Sequence, residues 1–261
     1  MVKSNRINKA MTTFKTTIAV FVASLIPAFA TEPGLAVDRG LPQTNLNNVS
    51  GSARSNVRWT GEGNGFVGDD FTIGAPGETW VIDSIRTWAV PQISVTSSKH
   101  LGDLYQDVRL YFGSASGSAL TPVLSTTLTE GSDESENANI TISELTRAGA
   151  IPYDDFGTNL RIWQLEFHLN RIVKGGTKYA FGAWGMGRPV PGKEDKIYPW
   201  FNYGSSALHS ATQQDGADGT LLLFDGGGKF GGTFDSKGNN WDKSSDINVQ
   251  VFAHRVKLPV E

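Results

Sequence analysis

From residue 57 onward, apolar and polar positions alternate in short runs separated by clusters of Gly, Asp, Asn and Pro. A period of two sends successive side chains to opposite faces of an extended strand. In residues 104–112, Leu104, Val108, Leu110 and Phe112 share one face, interrupted by Gln106, while Tyr105, Asp107, Arg109 and Tyr111 share the other. Residues 163–169 set Trp163, Leu165, Phe167 and Leu169 against Gln164, Glu166 and His168. Residues 246–254 place Ile247, Val249, Val251 and Ala253 inward, with Asn248, Gln250, Phe252 and His254 outward. In 79–89 the apolar parity changes from Trp80 and Ile82 to Ile85, Thr87 and Ala89, so a bulge near Asp83-Ser84 is expected. Residues 177–184 and 198–203 read as aromatic strands, and Pro199 confines the second to an edge or a strand start. Helical periodicity covers two turns at most, in 142–150. The pattern predicts an all-β antiparallel sandwich or barrel with one solvated face per sheet.

The first thirty residues break this pattern. Lys3, Arg6, Lys9 and Lys15 occur with no acid, an apolar run fills 16–29, and the segment closes on Ala28-Phe29-Ala30. That is the layout of a secretory signal peptide, and the run is shorter than the ~20 residues a spanning helix needs. Cleavage is expected after Ala30, with Ala36 in Gly34-Leu35-Ala36 as a second candidate. Residues 31–55, rich in Pro, Gly, Asn and Ser, read as an arm or linker, and 56–261 as a single sandwich domain.

Composition sharpens this. Of 261 residues, 39% are hydrophobic, too many for a disordered chain, and none is cysteine. Disulfide scaffolds, zinc-thiolate sites and thiol catalysis are excluded, and an exported fold without disulfides must be stabilised by its core. Loss of the four basic residues of the leader takes the net charge from −3 to −7. No basic surface invites nucleic acid, and no membrane association is expected once the signal is removed. Cysteine-free export points to a bacterial source.

Gly68-Asp69-Asp70-Phe71-Thr72-Ile73, followed by Trp80-Val81-Ile82-Asp83-Ser84-Ile85, resembles the opening hairpin of β-sandwich modules in bacterial secreted and cell-surface proteins. Trp241 and 246–252 are similar to the final strand of those modules. The resemblance spans most of 66–254 and implies an antiparallel two-sheet, jelly-roll-like sandwich. It brings no active-site residue with it.

Candidate chemistry lies on the two polar stripes. Were the strands to share a concave sheet, Tyr105, Asp107, Arg109 and Tyr111 would join Gln164, Glu166 and His168 in one groove, with Trp200 near the Pro-rich loop. Aromatic platforms and hydrogen-bonding groups of this kind suit a polysaccharide or other cell-surface material. The competing reading is an ordinary solvated face with cross-strand polar pairs. A catalytic alternative is a jelly-roll polysaccharide lyase drawing on His168, Tyr105, Tyr111, Arg109 and Gln164, although no local lyase motif is present. Glycosidase, serine-hydrolase, zincin and phosphate-loop signatures are missing. His100, His168, His209 and His254 lack metal-ligand spacing. No cofactor is expected beyond a structural calcium, for which Asp215 and Asp218 are the candidate ligands, with Asp69, Asp70, Asp242 or Asp246 as helpers. Three loops stand out: acidic 131–137, Pro-rich 186–196 and Gly-rich 225–240.

Overall fold

The computed structural model describes residues 33–39, 65–89, 100–144, 162–200, 218–235 and 245–256, and the short strands at 153–155, 158–160 and 204–206 as backbone alone. Extended backbone dominates, as the period of two requires. One sheet has five strands in the order β1 (Gly34–Asp38), β17 (Gln250–Arg255), β3 (Thr79–Ala89), β9 (Trp163–Lys174) and β6 (Ile140–Glu144). The other has six, in the order β15 (Phe230–Asp235), β14 (Thr220–Phe224), β2 (Phe66–Thr72), β10 (Lys178–Trp184), β4 (Asp107–Ser114) and β5 (Thr121–Thr127). Every pairing in both sheets is antiparallel. Small hairpins and pairs accompany them: β7 (Tyr153–Asp155) with β8 (Thr158–Leu160), β11 (Pro189–Val190) with β12 (Lys193–Ile197), and β13 (Gly204–Ser206) with β16 (Ser245–Ile247).

The sheets pack as a sandwich around one apolar cluster. Trp163, Leu165 and Phe167 of β9, Ile82 and Ile85 of β3 and Val251 of β17 are all fully buried, as are Phe71, Val108 and Leu110 of the other sheet. Each such side chain withdrawn from water contributes roughly 1.5–3 kcal/mol, and the fold has no disulfide to add.

The expected bulge in β3 is present. Against β17 the register passes from Ile82↔Ala253 to Ser84↔Phe252, leaving Asp83 unmatched. On the other flank β9 supplies its own extra residue between His168 and Arg171, where Asn170 takes a positive φ of 48°. The two offsets let Ile82 and Ile85 both point inward.

Four features depart from the sequence pattern. The stretch read as an arm contains β1, which closes the edge of the five-stranded sheet against β17. Residues 198–200 are not a strand; they cross over the Tyr105 side chain instead. Asn248 and Gln250 have outward parity but are buried, because Asn248 donates to the Arg39 carbonyl and Gln250 lies between Arg86 and Asp38. Residues 225–235 of the Gly-rich segment form a tight turn and most of a strand pair rather than a long loop.

That turn extends the apolar cluster onto the outer face of the six-stranded sheet. The tip of the β14–β15 hairpin curls over the outer face and meets the chain just before β5, through an Ala119↔Lys229 bridge and a Leu120 N–H to Gly228 carbonyl bond of 2.8 Å. Beneath it Tyr111, Phe66 and Phe224 stack in a row, with ring centroids 4.6 and 5.1 Å apart. Gly228 has φ +85°, and a Cβ there would lie 2.2 Å from the Leu120 carbonyl oxygen. Only glycine fits this close approach.

Candidate functional site

The opposite end of that outer face is open to solvent. Arg109 faces Ser125 and Asp107 faces Thr127 across the β4–β5 ladder, so the four side chains share the outward face. With residues 136–138 they bound a cleft of about 680 Å³. Arg109 donates to Asp107 at 2.6 Å and lies over the Trp184 ring, 5.1 Å from its centroid. The second Asp107 oxygen accepts the Met186 N–H at 3.0 Å. Partial burial pulls the Arg109 pKa down, but hydrogen bonds to Asp107 and Tyr111 outweigh it and hold the guanidinium above its ordinary value.

The acidic loop forms the cleft's other wall and is pinned from below. Thr126 accepts from the Ser135 hydroxyl at 2.9 Å, and Asn137 donates through its amide to the Ser125 carbonyl at 3.0 Å. Asp133 accepts the Leu101 N–H at 2.6 Å and pairs with His100 at 3.2 Å. Glu136, Ser125 and Thr127 remain exposed on this rigid frame.

The aromatic residues expected as platforms lie elsewhere. Tyr105 is 1% exposed, donates its hydroxyl to the Pro199 carbonyl at 2.8 Å, and meets Trp200, itself 3% exposed, edge-on at 4.7 Å. Burial pushes the Tyr105 hydroxyl far above its usual pKa, so it offers no proton-accepting phenolate. Tyr111 is buried under the hairpin tip and donates to the Gly226 carbonyl at 3.0 Å. Strand parity placed these rings on the outward face, and the chain segments that cross that face then cover them.

The shared groove is not formed. β4 belongs to the six-stranded sheet and β9 to the five-stranded one, so their outward faces look away from each other. Arg109, Tyr105 and Tyr111 are therefore not brought together with Gln164 and His168. On the β9 face, Glu166 accepts from Ser84 at 2.9 Å and from Arg86 at 2.7 Å. Burial alone would raise the Glu166 pKa; the Arg86 and Ser84 hydrogen bonds bring it below the ordinary value. Arg86 continues to Gln250 at 3.1 Å and lies over Phe252. His168 is exposed beside this network, and Gln164 stands opposite Trp88 and Ser143. The arrangement is a cross-strand polar lattice that ties three strands together.

Of the calcium candidates, Asp215 and Asp242 lie outside the described residues. Asp218 accepts the Thr220 N–H at 2.8 Å and stands 3.9 Å from Lys178, which pairs with Asp70 at 3.1 Å. No group of three or more His, Asp or Glu side chains suited to a metal ion occurs among the described residues. The structure instead brings Asp69 and Asp246 together around Arg39, all within 2% of full burial. Burial raises the Asp69 pKa well above the carboxylate range, opposed by Arg39 and reinforced by Asp246. Asp246 is pushed up to about 6, again by burial foremost and against Arg39. In the sequence, the adjacent acids Asp69-Asp70 in an otherwise apolar strand were the one sign of this cluster. His254 pairs with the bulge residue Asp83 at 2.9 Å, and His209 lies outside the described residues.

No family model, no curated protein and no solved structure matches this chain.

Proposed function

We propose that this protein is an exported, non-catalytic β-sandwich module that binds polysaccharide or other cell-surface material through the β4–β5 cleft. The observation that carries the reading is the cleft itself. Its Asp107–Arg109 pair and its 133–139 wall are locked by internal hydrogen bonds, while Ser125, Thr127 and Glu136 face solvent. A stiff frame with free hydroxyl and carboxylate groups suits a ligand rich in hydroxyls, because little side-chain ordering remains to oppose binding. The leader of the first thirty residues supports export. The antiparallel two-sheet architecture agrees with the bacterial surface modules that the 68–85 segment resembles, and their jelly-roll-like character belongs to this proposal.

Affinity electrophoresis and titration calorimetry against a panel of plant, bacterial and algal polysaccharides test the reading. Retention by at least one polymer, lost in a Thr127→Tyr variant that fills the cleft, is the expected result. Absence of retention across the panel and on isolated cell walls would overturn it.

A further inference from the structure

We infer that the β4–β5 cleft selects glycans that carry no acid groups; this rests on the binding role proposed above. The argument is a charge inventory. Among the described residues the one cation lining the cleft, Arg109, is already paired with Asp107 at 2.6 Å and covered on one face by Trp184. Its charge is cancelled within the protein. Glu136 lines the same cleft, is exposed, and has no such partner among the described residues.

The segment that leads to it is acidic. Glu130 and Glu134 are exposed on the segment that leads to Glu136. Asp133 is held by the Leu101 N–H and by His100, which fixes the loop that presents the two glutamates. A uronate or sulfate entering here would meet the uncompensated Glu136 carboxylate and a guanidinium already engaged with Asp107. Like charges brought together in a partly desolvated cleft oppose binding, and a negative potential lowers the local concentration of polyanions. A sugar without acid groups meets neither obstacle. It finds hydroxyl donors and acceptors at Ser125 and Thr127 and a carboxylate acceptor at Glu136. With Tyr105, Tyr111 and Trp200 buried, recognition depends on these hydrogen bonds rather than on ring stacking at those positions.

The experiment uses the full chain and a glycan array that pairs acidic polymers (alginate, pectate, chondroitin sulfate) with non-acidic ones (glucans, xylans, mannans, galactans). The expected result is hits confined to the non-acidic half. Glu136→Gln, which removes the charge and one acceptor, should weaken retention on the non-acidic polymers and ease the exclusion of acidic ones, and Glu136→Lys should raise retention on acidic polymers about fivefold, the size of effect an exposed charge exchange produces. Both substitutions are at an exposed site, and an unchanged thermal midpoint checks folding. Binding by the wild-type chain to acidic polymers as strong as to non-acidic ones overturns the inference while leaving the binding role standing. So does a Glu136→Lys variant with no gain on acidic polymers. Silence on both halves overturns the binding role itself, and the inference falls with it.

Discussion

Arg39, one residue beyond β1 in the five-stranded sheet, places its guanidinium 2.8 Å from the Asp69 carboxylate of β2 in the six-stranded sheet, with both side chains buried. It also donates to the Asp70 carbonyl. Its own backbone is held from both sides, by the Val249 carbonyl at 2.9 Å and the Asn248 amide at 3.0 Å. The edge strand β1 is thereby fastened to both layers of the sandwich.

Removal of this cation should be among the most damaging single changes in the protein. Arg39→Met leaves two buried acids without a counter-charge, a loss of about 3–5 kcal/mol for a broken buried pair. Urea denaturation reads it. Because protonation neutralises the orphaned acids, the variant should recover part of its deficit at pH 4; an equal deficit at pH 4 and pH 7 would contradict the arrangement.

The companion acid makes the opposite contribution. Asp246 is raised to about 6 in the fold from an ordinary value of 3.8, and its Oδ2 atom has no hydrogen-bond partner among the described residues. A raised pKa means that the folded state holds the proton more tightly than the unfolded chain. The associated stability is fully present below about pH 4 and is lost as pH rises through about 6, an amount on the order of 3 kcal/mol. Asp246→Asn should therefore gain stability relative to wild type between pH 4 and 7. Paired denaturation curves across that window measure the difference, and a pH-independent difference would refute it.

The hairpin tip over Tyr111 predicts a local lesion. Gly228→Ala forces a Cβ toward the Leu120 carbonyl at a positive φ, and strain of this kind costs about 1–3 kcal/mol. Tyr111→Phe deletes the hydroxyl bond to Gly226, about 1 kcal/mol. In both variants hydrogen exchange at the Leu120 and Phe230 amides, which bond across the hairpin tips, should accelerate more than exchange in β9. Uniform acceleration would show that the tip is not a separate unit.

Tyr105 separates a packing role from a binding role. Tyr105→Phe removes one buried hydrogen bond and should cost about 1 kcal/mol, and Tyr105→Ala about 3–5 kcal/mol by analogy with other large aromatic truncations. Glycan retention of the folded Tyr105→Phe protein should be unchanged. A loss of retention at constant stability would return this residue to the site.

Processing offers a further check. β1 begins at Gly34, so cleavage after Ala30 spares it, whereas cleavage after Ala36 leaves only part of the strand ahead of Arg39. On the proposed export, N-terminal sequencing of the mature protein should read Thr31. A mature start at Val37 would require the sandwich to stand with only Val37 and Asp38 of that edge strand paired to β17.

Parity along the chain located the inner faces of β4, β9 and β17 and the Asp83 bulge because burial of alternate residues is a local property of a strand. What covers the outward face is not local. Tyr105 and Tyr111 have outward parity, yet residues 198–200 and the turn at 225–228 fold over them from more than ninety positions away. The same limit separated the stripes of β4 and β9: alternation shows that each has a polar side, but not which sheet each joins. β1 was hidden by its five-residue length among Pro, Gly and Asn, and β15 by Gly231 and Gly232, which an edge strand tolerates. Asp107 and Arg109 stayed at the surface, and the acidic loop at 131–137 proved to be their neighbour.

The pairing of β1 with β17 sets the order of events when the chain folds. The N-terminal strand of the five-stranded sheet has β17 as its ladder partner, and β17 is also what lies between β1 and β3. A chain made from its N-terminus therefore cannot close this edge until β17 has been synthesised. Contacts so distant in sequence form slowly. The same ladder that closes the edge of the folded sheet thus acts as a timer, delaying the lock until synthesis has passed Arg255.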